Sequence, residues 1–274
     1  MKTVIDVSEF NGIVSWKDVS ADGVMIRAGY RGYGGGSIIA DKMARANITG
    51  AAAAGLPIGL YFVTQAISES EAKEEADFCA DMVGDIRLSL PVAWDTEPAT
   101  ADMTGRGDRI DRLTRTKCVL AFSDRCRERG LTPMLYCSTG WFRAQIDGEN
   151  IRQGGTLIWL ASYPSRPGGK NVSPSVPWDG WQYTDAAAAN GVRGNCDVSW
   201  FREACFVGKY FMDTAGRWSE KSIDRCRDAG ILNGKTENRF CPTDLLTREE
   251  AAAALDRMMC WVEKSIDERI KGEF

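Results

Sequence analysis

The sequence contains no histidine. That removes Ser-His-Asp and Cys-His nucleophile systems and the usual His-containing zinc sites, so chemistry has to run on carboxylates and tyrosines. There is no CxxC pair either. Nine cysteines are scattered between Cys79 and Cys260, an odd number without the clustering of a secreted disulfide framework, and free buried thiols in a reducing compartment are expected. No apolar run is long enough to cross a bilayer, and residues 1–6 reach an acid before an apolar leader core could form, so neither a membrane span nor a signal peptide is expected. Basic runs are missing and the net charge is −4, which argues against nucleic acid as a partner. The 274 residues suit one large α/β domain with a small appendage, or two medium domains.

What is present centres on residues 90–98, reading Leu-Pro-Val-Ala-Trp-Asp-Thr-Glu-Pro. An apolar run bounded by turn residues reads as a buried strand. Side chains at i and i+2 of a strand share a face, roughly 6.5–7 Å apart at ~3.3 Å rise per residue. Asp95 and Glu97 therefore project together, and their mutual repulsion drives one pKa up and the other down. Acid/base work on a glycosidic bond needs such a pair. The same residues also fit a surface turn with two solvated acids, or a Mg²⁺ or Ca²⁺ site.

The first three-quarters of the chain alternates strand-like and helix-like segments, the pattern of a mainly parallel sheet or barrel. Strands are predicted at 3–7, 24–30, 58–62, 133–136 and 157–161, with late strands at 180–183 and 195–198 that lack full helices between them. Asp41 is a candidate cap for a helix to residue 54. Ser68 and Glu71 form a capping box, residues 113–129 read as a helix, and Ser138 or Thr139 caps a short one. The glycine-rich stretch 32–36 has no Lys-Ser/Thr after it and reads as a rim, not a phosphate cradle. Residues 164–177 are predicted to be a long surface loop.

Asp6, Tyr30, Tyr61, Asp95, Glu97, Tyr136, Tyr163 and Gln182 all fall at or just after the C-terminal ends of predicted strands. In a β/α barrel that end is the catalytic face. Acids ringed by aromatics suit a sugar-binding cleft.

Seven segments in order carry a more specific signal: Asp6-Val7-Ser8 with Gly12, Arg27-Ala28-Gly29-Tyr30, Gly59-Leu60-Tyr61-Phe62, Asp95-Thr96-Glu97, Leu135-Tyr136-Cys137-Ser138, Trp159-Leu160-Ala161-Ser162-Tyr163, and Trp181-Gln182-Tyr183-Thr184, followed by Asp197 and Phe201. Together they resemble the family 25 glycoside hydrolases, the muramidases of bacteria and their phages. The resemblance implies an α/β fold, a flattened irregular TIM-like β/α barrel whose last strands lack helices. It implies cleavage of the β-1,4 bond between N-acetylmuramic acid and N-acetylglucosamine in peptidoglycan, with no cofactor and no metal. Carried across, Glu97 is the general acid, with Asp95, Asp6 and Asp197 beside it. Tyr30, Tyr61, Tyr136, Trp159, Tyr163, Trp181 and Gln182 are the expected substrate contacts. Two places depart from the family: Phe10-Asn11 stands where many relatives have Trp-Gln, and Tyr61-Phe62-Val63-Thr64 lacks a histidine that relatives often carry. The rivals are a catalytically silent wall-glycan-binding barrel and a metal-dependent hydrolase using the same acids.

Residues 206–274 are expected to form a small all-α module apart from a catalytic barrel at 1–205. The order Phe-x-Asp, Trp, Ala-Gly-Ile, Phe-x-Pro and Leu-Thr-Arg-x-Glu resembles a single S-layer homology module. That resemblance implies binding to peptidoglycan-associated, secondary wall polysaccharide, with Trp218 and Arg248 as candidate contacts. Such modules usually come in threes, so association of several chains into a homo-oligomer is expected from the single copy. An endolysin made in a bacterial cytoplasm without a signal peptide, acting on the wall after release, completes the expectation.

Overall fold

The computed structural model describes all residues except 85, 87, 164–171, 207–210, 212, 215–216, 237–238 and 272–274. The chain forms two compact units, Met1–Val207 and Gly208–Phe274.

In the first unit, eight strands close into a barrel in the order β1 (Lys2–Val7), β9 (Asn195–Phe201), β8 (Gly180–Ala188), β7 (Leu157–Ala161), β6 (Pro133–Ser138), β5 (Val92–Asp95), β4 (Ile58–Val63) and β2 (Gly23–Arg31), with β2 returning to pair with β1. A short strand, β3 (Ile38–Ala40), adds antiparallel to β2. Seven barrel strands share one direction and β9 runs against them, pairing antiparallel with both β8 and β1. Helices α1 (Ala44–Ala53), α2 (Glu69–Val83), α3 (Arg112–Glu128), α4 (Thr139–Gln145) and α5 (Gly148–Gln153) follow the earlier strands. The β8–β9 connection carries none, matching the decay of the repeat seen in the sequence.

Strand alternation sorts side chains into two apolar layers. Ile26, Leu60, Val92, Trp94, Leu135 and Leu160 face outward and pack with Ala72, Ala76, Cys79 and Phe122 from α2 and α3. Val4, Met25, Ala93, Met134, Trp159 and Phe201 plug the barrel interior. Space there is tight. A Cβ on Gly59 would lie 2.5 Å from Met25 Sδ and 2.6 Å from the Pro91 carbonyl oxygen, so only glycine fits that point of β4.

Local signals hold where the partner is near in sequence. Ser68 Oγ accepts from Glu71 N at the start of α2, Asp111 accepts from Thr114 N at the start of α3, and Ser138, not Thr139, caps α4 through Trp141 N. Asp41 caps the turn that leads into α1, its Oδ1 accepting from Met43 N at 2.8 Å, while its Oδ2 takes Arg27 Nε at 2.7 Å and the Glu9 amide at 2.9 Å; the helix proper starts at Ala44. The late strands run longer than expected, to Ala188 and Phe201. Part of the predicted surface loop, 164–171, lies outside the described residues. Six of the nine thiols are buried, Cys226 and Cys241 are half-buried, and Cys260 is exposed.

The second unit contains α6 (Glu220–Asp228) and α7 (Arg248–Lys271). Thr247 and Glu250 make a reciprocal capping box at the start of α7, with Glu250 N donating to Thr247 Oγ1 and Thr247 N to Glu250 Oε2. The Asp213 carboxylate accepts from the Phe240 and Cys241 amides, which holds the segment between the helices. Trp218 is 95% exposed and Arg248 is also on the surface.

Candidate active site

The same alternation that fills the lower barrel with apolar side chains places polar ones in the layer above. Asp6 lies two residues beyond Val4 on β1, Asp95 two beyond Ala93 on β5, and Tyr136 two beyond Met134 on β6. Together with Tyr61, Glu97, Trp159, Gln182 and Asp197 they line a cavity of about 380 Å³. Thr96, between the two acids, points the other way and is anchored from behind. Its Oγ1 accepts from Arg115 Nη1 of α3 at 3.0 Å and from the Trp141 indole at 3.4 Å, while Arg115 stacks on the Trp141 ring at 4.8 Å. The end of β5 is thereby held by its outward residue while its acids face the cleft.

Asp6 and Asp197 are register partners across β1 and β9. Gln182 Nε2 donates to Asp6 Oδ2 at 2.9 Å and reaches Asp197 Oδ2 at 3.4 Å, and the Tyr136 and Tyr163 hydroxyls donate to Gln182 Oε1. Asp95 is buried, and its Oδ1 has no hydrogen-bond partner among the described residues. Glu97 is more open, at the rim.

Every acid of this group is harder to ionise than usual. Burial lifts Asp6 well above the carboxylate range, and the Asp197 charge adds to it. Burial likewise raises Asp95, followed by repulsion from Glu97 and Asp6, with Arg27 opposing. Enclosure by the cleft raises Glu97, and the Asp197 charge raises it further. Loss of water raises Asp197, while its contact with Asp6 pulls it back.

Several expected contacts are elsewhere. Trp181 does not line the cavity; it packs against Trp178, Tyr183 and Trp200, and its indole donates to the Ser162 carbonyl. Tyr30 lies beside the Arg27 guanidinium, outside the lining, and Tyr163 reaches the site only through Gln182. Trp218 and Arg248 belong to the other unit.

Among the residues lining the cavity that sequence reading did not name as site residues are Phe10, Arg27, Arg193 and Asn195. Arg27 had a signal, a charge inside an apolar strand, which requires buried partners. It finds them in Asp41 and Glu9 and carries the exposed Phe10 ring 4.8 Å above it. Asn11 Nδ2 donates to the Asn195 carbonyl and ties the turn after β1 to β9. Among the described residues, no group of three or more Cys, Asp or Glu is arranged to hold a metal ion, and no helix is long and apolar enough to cross a membrane.

A closed β/α barrel with carboxylates gathered at its strand ends is the frame of a sugar-cleaving enzyme. Residues 5–192 match the glycosyl hydrolases family 25, and the chain belongs to that family. Residues 211–252 match the S-layer homology domain. The autolytic lysozyme of Clostridium acetobutylicum is 26% identical over 230 residues, covering 83% of this chain and 64% of that protein. The modular autolysin LytC from Streptococcus pneumoniae, solved with a synthetic peptidoglycan ligand, is similar at 27% identity and a TM-score of 0.57, over 72% of this chain and 46% of that one. The bacterial lysozyme from Streptomyces coelicolor shares the fold, with a TM-score of 0.59 at 23% identity over 74% of this chain and 94% of that one. The chain thus spans less than two thirds of the length of the first two relatives.

Proposed function

We propose that the protein is a peptidoglycan-degrading muramidase that hydrolyses the β-1,4 bond between N-acetylmuramic acid and N-acetylglucosamine. The observation that carries this reading is the placement of Asp95 and Glu97 at the end of β5, inside a cleft floored by Asp6 and Asp197. Membership of family 25 and the similarity to an autolytic lysozyme support it.

Glu97 is the general acid. Its raised pKa keeps a proton available, and its open position at the rim lets the glycosidic oxygen approach. As the C1–O bond breaks, that proton passes to the leaving oxygen and positive charge grows at C1. Asp95, buried with one unpaired oxygen, attacks C1 in its ionised form or orients the substrate's 2-acetamido group to do so; water then displaces that bond at C1 and returns a proton to Glu97. Asp6 and Asp197 lie beneath the sugar, where the ionised member of the pair supplies negative potential. Tyr61, Tyr136 and Trp159 offer ring faces and hydroxyls to the glycan. In this reading residues 1–205 are the catalytic part. Residues 206–274 are a wall-binding module, with Trp218 and Arg248 as contacts to secondary wall polysaccharide and with several chains associating through it.

Digestion of purified peptidoglycan by wild type and by Glu97→Gln, read by mass spectrometry, tests the assignment. Products with reducing-end muramic acid from wild type and none from the variant are expected. Intact glycan strands from both, with the protein still sedimenting on walls, would make it a silent binding protein. Released peptides would mean that a different bond is cut. An endolysin-type role requires in addition that the added protein clears a suspension of bacteria whose wall it digests.

A further inference from the structure

Gln182 projects into the cleft, yet its amide has no valence left for a sugar. A primary amide offers two acceptor lone pairs and two donor protons. Oε1 accepts from Tyr136 OH at 2.6 Å and from Tyr163 OH at 2.5 Å. Nε2 donates to Asp6 Oδ2 at 2.9 Å and to Asp197 Oδ2 at 3.4 Å. The partners also settle which way the amide points. Reversed, its oxygen would face the carboxyl oxygens of both Asp6 and Asp197, and its N–H groups would be turned away from them.

We infer that Gln182 is a positioning residue: it clamps Asp6 and Asp197 side by side under the sugar and is itself held by Tyr136 and Tyr163, without touching substrate. This rests on the muramidase reading of the cleft. The clamp ties four strands to β8, since Asp6 comes from β1, Asp197 from β9, Tyr136 from β6 and Tyr163 from just beyond the end of β7. Gln182 itself is almost wholly buried, as a clamp should be. A second consequence concerns the tyrosines. Both direct their protons to Gln182, so toward a ligand they present only lone pairs, which match the N–H of an acetamido group or a sugar hydroxyl acting as donor.

The test separates positioning from contact. Gln182→Glu keeps the shape and the acceptor toward the tyrosines but removes both N–H donors. Expected are a fall in kcat of about 100-fold, the cost of a small misplacement at a reacting centre, and an unchanged dissociation constant for glycan strands measured in the Glu97→Gln background. Binding weakened about tenfold or more, with kcat retained, would overturn the proposal and make Gln182 a sugar contact. Should Gln182→Glu fail to fold, Tyr163→Phe, at the half-exposed end of the clamp, takes its place. Its loss of kcat at constant KM should disappear when combined with Gln182→Leu, and full additivity would count against a shared clamp.

A readout independent of turnover keeps this distinct from the muramidase reading. Carbon-13 carboxyl NMR of Asp6 and Asp197 should show the pair titrating at higher pH in Gln182→Leu, because the amide protons favour the ionised form. Asp95, Glu97, Tyr61, Tyr136, Tyr163 and Asp185 also act on this pair, and variants of the four outside the clamp, Asp95, Glu97, Tyr61 and Asp185, serve as controls for field effects from the neighbouring strands. An unmoved titration would overturn the clamp even if the protein digests peptidoglycan. A moved one would uphold it even if it does not.

Discussion

The charge of Asp197 bears on Glu97, from the reversed strand β9 to the end of β5, and raises the pKa that loss of water in the cleft has already lifted. A general acid works only while protonated. The alkaline limb of the kcat/KM profile should therefore lie above the ordinary carboxylate value, and Asp197→Asn, by removing the anion, should move it to lower pH. A limb in the same place in both proteins would show that Asp197 does not act on Glu97 through its charge.

Glu75 of α2 is fully buried, with its carboxyl meeting Arg31 Nε at 2.6 Å, the Trp94 indole at 2.7 Å and Thr64 Oγ1 at 2.8 Å. Glu75→Leu strands all three donors. A loss of about 3–5 kcal/mol in urea unfolding is expected, the usual result of removing one member of a buried ion pair.

The same group makes stability depend on pH. Burial raises Glu75 from 4.5 to about 7 in spite of Arg31. A raised acid favours the folded state most when protonated, so this contribution is full below 4.5 and is lost as pH rises through about 7. Wild-type stability should fall across that window, with a flatter slope for Glu75→Gln. Equal slopes would show that Glu75 titrates alike in the folded and unfolded chain.

Thr96→Val removes the acceptor that Arg115 and Trp141 share behind the acids, where Arg115 Nε is already unpaired among the described residues. About 1–3 kcal/mol of stability should be lost. Turnover should fall with little change in KM, since the substituted side chain faces away from the cleft. A rise in KM alone would contradict that placement.

Arg193 lines the cavity rim, is exposed, and makes no ion pair among the described residues. Arg193→Gln should raise KM for anionic wall glycan by roughly tenfold, the scale of one charge-assisted hydrogen bond, with kcat unchanged. High salt should narrow the difference.

Much of the barrel could be read from period-two patterning, because inward and outward residues are decided by local alternation. The acids at strand ends were visible for the same reason. Asp41 was legible as a cap before α1, but its ion pair with Arg27, on a neighbouring strand, was not, because no local rule announces a tertiary ion pair. Trp181 was placed in the cleft beside Gln182, although adjacent strand residues face opposite sides. Parity alone would have separated them. Phe10 and Arg193 sit on connections whose path is set by the closure of β9 on β1, a contact between distant parts of the chain that residue spacing does not encode.

That closure has a consequence for when the site is completed during synthesis. Gln182 meets Asp6 across 176 residues of chain, and Asp197 arrives only with the reversed strand β9. A nascent chain halted before that strand would carry Glu97 and Asp95 on an unsealed sheet, with neither floor nor clamp beneath them. At about 5–20 residues per second of synthesis, the complete set of acids would stay absent for most of translation and then assemble in one late step.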